Sequence, residues 1–383
     1  FINNIYFMEK QLSEKLPRIE VVDALRGFAV MAILLVHNLE HFIFPVYPTG
    51  DPGWLNILND GVFNITFSLF AGKAYAIFAL LFGFTFYIQS ANQQRKGKDF
   101  GYRFLWRLVL LAVFATVNAA FFPAGDVLLL FVVVGVVLFV VRKWSDCAIL
   151  VTAIVFLLQP VEWYHYIVSL YDPSHTLPDL GVGAMYQEVA AYTKEGNLGE
   201  FLWKNITYGQ KASLYWALGA GRFWQTAGLF LMGLYIGRKQ LFVSSETNTR
   251  FWVKALIISA IAFAPLFQLK ELVMASNSLL VRGTVGTAFD MWQKFAFTIV
   301  LVASFVILYQ KEKSFVLLYQ KEGFKKFVSN LRFYGKMSLS NYIGQSIAGA
   351  VIYFPFGLYL APYCGYALSL IIGFVLFLLQ VCF

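Results

Sequence analysis

The chain has 383 residues, of which 59% are hydrophobic and only 13% are Asp, Glu, Lys or Arg. Soluble domains carry about twice that charged fraction. With a mean hydropathy of +0.65, the composition excludes a water-soluble globule, a disordered chain, collagen and a coiled coil. The formal charge of +9 is accounted for by its distribution along the chain, without nucleic acid.

A membrane span needs about 20 apolar residues. Ten such runs follow one another: 24–44, 67–89, 104–122, 127–141, 147–170, 216–236, 251–269, 288–309, 337–356 and 363–383. The expectation is therefore an all-α, polytopic transmembrane helix bundle of about ten spans. Residues 1–23 form an N-terminal segment, and 24–383 form a single transmembrane domain. Residues 61–66 read as an interfacial or re-entrant lead-in to the second run. The fourth run is short, and Pro160 should kink the fifth.

Two longer stretches interrupt the pattern. Residues 171–215, with Pro173 and Pro178, form an outer loop that at this length is expected to be functional or partly helical. Residues 310–336 form a basic cytoplasmic loop. It includes a tandem duplication, SFVILYQKEK at 304–313 and SFVLLYQKEG at 314–323. Its second copy reads as a membrane-surface helix with Lys311, Lys313 and Lys321 near anionic lipid, or as a duplication without a role. Cys147, Cys364 and Cys382 have neither a CxxC pattern nor His at ligand spacing, so no disulfide framework, zinc site or other metal is expected. No cleavable signal precedes the first run. The chain opens at Phe1 rather than Met, so its start is expected upstream or at Met8, and it stops within an apolar run at Phe383, where further residues are expected.

The basic residues sort by side. Of the 30 Lys and Arg, four precede or open the first run, five lie in 95–107, two at Arg142 and Lys143, four in 238–254 and seven in 311–336. The alternate loops hold seven, and Lys73 lies inside a run. The positive-inside rule then puts both termini and the basic loops in the cytoplasm.

Ionisable groups inside a span are costly and point to function, and the first run is richest in them. On a helix advancing about 100° per residue, with Asp23 at zero, Arg26 falls near 300°, His37 near 320° and His41 near 0°. The four share one narrow stripe. Arg26 and His37 are separated by about 16 Å along the axis, half the hydrocarbon thickness. A charged cytoplasmic substrate held at Arg26 needs a long flexible arm to reach His37, and coenzyme A has that shape.

Three stretches carry a resemblance: RIEVVDALRGFAVMAILLVHN at 18–38, FAGKAYAIFALLFG at 70–83 and YGKMSLSNYIGQS at 334–346. Together they resemble the DUF418 (YeiB-like) membrane family. That family is grouped with the acyltransferase-3 and heparan-glucosaminide acetyltransferase types, which take an acyl group from cytoplasmic acyl-CoA to an acceptor reached from the opposite face. The acyltransferase-3 type carries Arg, ten residues, then His, a spacing that Arg26 and His37 share. The resemblance implies acyl-CoA as co-substrate, a glycan or lipid-linked sugar as acceptor, and a bacterial cytoplasmic (inner) membrane.

Each candidate residue has a plainer alternative. His37 reads as a general base, its pKa range being suited to the task, or as a neutral histidine bonded to a neighbouring helix. His41 either assists it or reaches the outer interface. Arg18 and Arg26 suit the CoA phosphates, with Asp23 beside them; alternatively Asp23 and Arg26 are an ion pair. Lys73 and Arg222 either meet the acceptor or snorkel. Asn341 and Gln345 share a helix face and read as acceptor contacts or as polar glue between helices. Two other functions compete with acyl transfer. In one, a transporter or channel uses the stripe as a proton or anion path; in the other, a non-catalytic subunit uses it for packing.

Overall fold

The computed structural model describes residues 18–44, 46–310 and 322–382. It is about 80% helix, without strands among those residues. In chain order the helices are α1 (Glu20–Glu40), α2 (Gly53–Phe70), α3 (Lys73–Gln94), α4 (Gly101–Phe121), α5 (Leu128–Val141), α6 (Asp146–Leu157), α7 (Pro160–Tyr171) and α8 (Val182–Lys194). There follow α9 (Leu198–Lys204), α10 (Gln210–Gly219), α11 (Arg222–Arg238), α12 (Glu246–Met274), α13 (Leu279–Gln310), α14 (Glu322–Lys336), α15 (Ser338–Tyr353) and α16 (Tyr366–Cys382). Residues 1–17 and 311–321, the part of the duplication that carries Lys311, Lys313 and Lys321, lie outside the described residues.

Helix lies under every one of the ten apolar runs. Among the described residues, four helical stretches are long and apolar enough to cross a membrane: α2 with α3, α4, α12, and α13. The bent pair α6–α7 makes a fifth. The bend of 53° falls at Gln159, which is left-handed (φ 61°) just before Pro160, whose missing N–H and fixed φ start a new helix there. The indole of Trp292 donates to the Leu157 carbonyl that the bend frees, at 2.9 Å. α5 and α16 are equally apolar but shorter.

Apolar side chains face outward along α4, α12 and α16, where Tyr102 is 79%, Ile261 71% and Leu378 57% exposed. Faces of that kind are stable only against lipid. The chain is an integral membrane protein.

α1 is the central helix, buried over nearly its whole length and packed against α3, α14, α15 and α16. Glycine lets the backbones meet. A Cβ on Gly27 would lie 1.9 Å from the Leu331 carbonyl oxygen of α14, and one on Gly335 1.9 Å from that of Asp23. The α3–α11 crossing repeats the device: a Cβ on Gly83 would stand 1.9 Å from the Phe230 oxygen and one on Gly233 1.9 Å from the Leu80 oxygen. Close backbone contact through small residues is how membrane helices associate without a hydrophobic force between them.

Residues 182–219 (α8 to α10, with a π turn at Asn205–Gly209) cover the end of the bundle where α1 finishes. Tyr186 donates to the Ala124 carbonyl at 3.0 Å, Asn205 Nδ2 to Ala120 at 3.0 Å and Ser213 to Asp126 at 2.9 Å. These bonds satisfy carbonyls in the α4–α5 connection and fix the cover to the bundle.

Candidate functional site

Beneath this cover lies a cavity of about 790 Å³. α1 contributes His37, Glu40 and the following His41; α3 begins in it with Lys73, and α11 begins in it with Arg222. Lys270 of α12 and Asp290 and Lys294 of α13 complete its charged lining, with Asp126 between α4 and α5. Phe67 and Phe70 from α2 and Phe263 and Phe267 from α12 make an apolar side.

Two helix breaks produce this arrangement. The apolar run from α2 into α3 is interrupted at Ala71–Gly72, and the run from α10 into α11 at Ala220–Gly221. Gly72 and Gly221 are both left-handed (φ 75° and 67°), a conformation only glycine adopts without penalty. The sequence reading carried both runs through unbroken. Each break is followed by a basic residue at the first helical position, so α3 and α11 open toward the cavity with unpaired N–H groups and a cation. The two helices then run side by side, and Tyr75 is hydrogen-bonded to Thr226 across them. A Cβ on Gly72 would lie 2.8 Å from Nη2 of Arg222, so a side chain there would displace the guanidinium.

His37 is 7% exposed, and its Nδ1 has no hydrogen-bond partner. Its ring lies 4.4 Å from that of Phe122, 5.5 Å from His41 and 5.8 Å from Tyr342. Neighbours of this kind hold the ring in place without engaging its nitrogen. His41 Nε2 stands 3.7 Å from Glu40 Oε2, and a Cβ on Gly125 would fall 2.8 Å from its ring. Asn38 takes no part in the cavity: it accepts from Tyr353 at 2.8 Å and donates to the Leu34 carbonyl at 2.8 Å, joining α1 to α15.

Asp126 was not singled out by sequence, yet its surroundings are unusual. One carboxylate oxygen accepts from Asn118 and from the Leu128 amide, both at 3.0 Å, while the other is buried without a partner. Burial pushes its pKa up to about 7, so the group exchanges a proton near neutral pH.

The other end of α1 is built differently. Asp23 accepts from Arg18 at 2.5 Å and Arg26 at 3.0 Å, and Arg26 also donates to Thr85 at 2.9 Å. None of the three lines the cavity. Val30, on the stripe between Arg26 and His37, is fully buried in a cluster with Leu34, Leu331, Tyr334 and Phe377. The four-residue stripe is thus two separate clusters divided by packed core.

Lys73 donates to the Ser68 carbonyl at 2.9 Å, and Arg222 to Gln225 at 3.0 Å. Asn341 donates to the Tyr334 carbonyl at 2.9 Å, and its own carbonyl accepts from Gln380 at 3.0 Å, so it ties α14, α15 and α16 together. Gln345 is fully buried, and neither end of its amide is hydrogen-bonded. Neither residue lines the cavity. Lys270 and Lys294 were visible in sequence only as outer-side charge, and Asp290 not at all. The signal that points to the site is the recurrence of Ala-Gly followed by Lys or Arg, at 71–73 and 220–222.

Residues 236–383 match the family described as protein of unknown function (DUF418). The matched region holds Lys270, Asp290 and Lys294 but neither histidine, nor Lys73, nor Arg222. Over 375 residues the chain is 24% identical to the uncharacterized protein YxaH of Bacillus subtilis (strain 168), an alignment spanning 89% of this chain and 83% of the relative. It is 30% identical over 122 residues to an uncharacterized 39.9 kDa protein in the amylase 3′ region of Bacillus acidopullulyticus, covering 32% of this chain and 33% of that one. No solved structure matches.

Proposed function

We propose that the protein is a membrane acyltransferase that moves an acyl group from cytoplasmic acyl-CoA to an extracytoplasmic acceptor, a glycan or lipid-linked sugar. It sits with ten spans in a bacterial inner membrane, both termini in the cytoplasm, and the cavity opens toward the outer side. The observation that carries this reading is His37: a buried imidazole with an unengaged nitrogen, facing a cavity large enough for a small-molecule ligand. A neutral ring of this kind takes a proton from an acceptor hydroxyl as that oxygen attacks the thioester carbonyl. The carbonyl–sulfur bond then breaks, and the proton goes to the leaving CoA thiolate. His41 orients the acceptor or the ring. The net +1 charge of Arg18, Asp23 and Arg26 receives the CoA phosphates. In this reading the pantetheine arm crosses the packed Val30 layer, which requires α1 and α14 to part where Val30 and Leu34 meet Leu331 and Tyr334.

The test is calorimetric titration of acetyl-CoA and a longer acyl-CoA into the protein in nanodiscs, with Arg26→Ala alongside. Saturable binding weakened by that substitution is expected. Absence of binding by either thioester overturns the donor assignment.

A second reading, a transporter, is favoured by one specific feature. Broken helices whose N-termini point at a common cavity are how many transporters hold anionic substrates. Uptake of a solute by proteoliposomes, with no thioester cleaved, would establish it in place of acyl transfer.

A further inference from the structure

The charged groups lining the cavity do not balance. Lys294 is paired with Asp290, and Lys270 with Glu271 at 2.7 Å. Glu40 stands beside His41, and Asp126 is held by Asn118 and the Leu128 amide. Lys73 and Arg222 remain. They are 6% and 8% exposed, and among the described residues neither has a carboxylate at ion-pairing distance. Lys73 has the Ser68 carbonyl and the face of Phe297 at 5.7 Å. Arg222 has Gln225 and the faces of Tyr75 at 5.2 Å and Trp216 at 5.8 Å. Carbonyls and ring faces attract a cation but leave its charge uncancelled. Lys294, Arg222 and Lys270 are near enough to repel the Lys73 ammonium, and Asp290, itself paired with Lys294, attracts Lys73 and Arg222 only from beyond ion-pairing distance.

Two buried, uncancelled cations cost free energy in a low-dielectric site unless an anion joins them. The backbone adds to the same demand, because α3 and α11 both open there with free N–H groups and the positive ends of their dipoles. His37 adds an independent observation: it is nine-tenths buried, it lines the same cavity, and its Nδ1 has no hydrogen-bond partner.

We propose that the cavity binds a phosphate-type oxyanion, seated between Lys73 and Arg222 at the opened ends of α3 and α11. The guanidinium is suited to two oxygens at once and the ammonium to a third. The phenylalanines that α2 and α12 contribute to the lining suit an apolar group attached to that oxyanion. Both helices turn much of their remaining surface toward lipid: Ile65 of α2 is 64% and Ile258 of α12 is 67% exposed. The oxyanion comes either from a lipid headgroup or lipid-linked phosphate, or from a soluble phosphate. The inference takes from the preceding reading only that the cavity is a ligand site.

The experiment is thermal unfolding of the full chain in detergent. The probes are inorganic phosphate, glycerol 3-phosphate, and phosphatidylglycerol against phosphatidylcholine of the same chains. Wild type is compared with Lys73→Met, Arg222→Gln and a control, Lys254→Met, at an exposed position on α12. A saturable upward shift with phosphatidylglycerol alone, weakened on the order of tenfold to a hundredfold in the two cavity variants and kept in the control, assigns a lipid phosphate. The same pattern with the water-soluble probes assigns a soluble one. No shift with any probe, or equal shifts in all variants, overturns the proposal. Without added anion Lys73→Met should unfold no earlier than wild type, because the substitution removes a repulsion. A clear loss would make Lys73 a tie for the end of α2 and equally overturn it. Since no thioester is present, failure of acyl-CoA to bind leaves this inference standing. Acyl transfer to a neutral acceptor, indifferent to phosphate, would sink it alone.

Discussion

The two ends of α1 carry similar residues and use them in opposite ways. At one end Asp23 gathers Arg18 and Arg26, and Thr85 takes a further donor of Arg26, so the hydrogen bonds close on themselves and a net charge of +1 is left. At the other, His37 keeps a free nitrogen, Asp126 a free oxygen, and Lys73 and Arg222 have no carboxylate at ion-pairing distance among the described residues. Buried polar groups ordinarily find partners. A cluster that satisfies itself stabilises the fold, and one that does not is poised for something absent. Charge on a stripe is therefore a weak guide to function, and unsatisfied charge beside a cavity is a stronger one.

The sharpest way to break this contrast is to disturb the satisfied end. Asp23→Asn strands Arg26, whose side chain is only 17% exposed, and is expected to cost about 3 kcal/mol. That is the low end for a buried pair, because Thr85 remains. Thermal or denaturant unfolding in detergent measures it, and no loss of stability would mean that the trio is not structural.

Asp126 tests the unsatisfied end through pH. Its folded pKa of about 7 stands above the unfolded value of about 3.9, so the folded state holds an extra proton between those limits. Its contribution to stability is fully present below about pH 4 and is lost as pH rises through about 7. Asp126→Asn should thus be more stable than wild type at pH 8, by about 4 kcal/mol, and nearly equal to it at pH 4. Identical pH profiles for the two proteins would show that the carboxyl is not perturbed.

Gly72→Ala probes the break that aims Arg222. The left-handed backbone alone costs about 1–2 kcal/mol for alanine, and the new Cβ pushes against the guanidinium. Oxyanion affinity should fall together with stability. A drop in melting temperature with affinity unchanged would separate Gly72 from the site. At the small end, Arg250→Gln removes an ion pair to Glu246 in which both side chains are largely exposed, 74% and 80%. It should alter stability by about 0.5 kcal/mol or less, and a larger effect would mean that satisfied surface charge matters more here than the contrast allows.

Much of the helical layout was legible in the sequence, because apolar runs of membrane length leave few alternatives and Pro160 marks its own bend. The breaks at Gly72 and Gly221 were not, since glycine inside an apolar run is as common in packed membrane helices as at interruptions. Only backbone dihedrals separate Gly83, which lets α11 approach, from Gly72, which ends α2. His37 and His41 were read together on one helix, but Lys73 and Arg222 were each noticed separately. Their meeting depends on how α1, α3 and α11 pack, which helical periodicity within one segment does not encode. The same limit joined Asp23 and Arg26 to the histidines: angular position on a helix is periodic, and Val30, which divides the two clusters, lies on the same stripe.

The most direct test of the unsatisfied end as the working end is acyl transfer by purified protein in proteoliposomes, with acyl-CoA supplied from the cytoplasmic side. Wild type is compared with His37→Gln, and melting temperatures are recorded in parallel. Loss of transfer by about a hundredfold or more, with the fold intact, is the expected result. Undiminished turnover by a folded His37→Gln protein would contradict it.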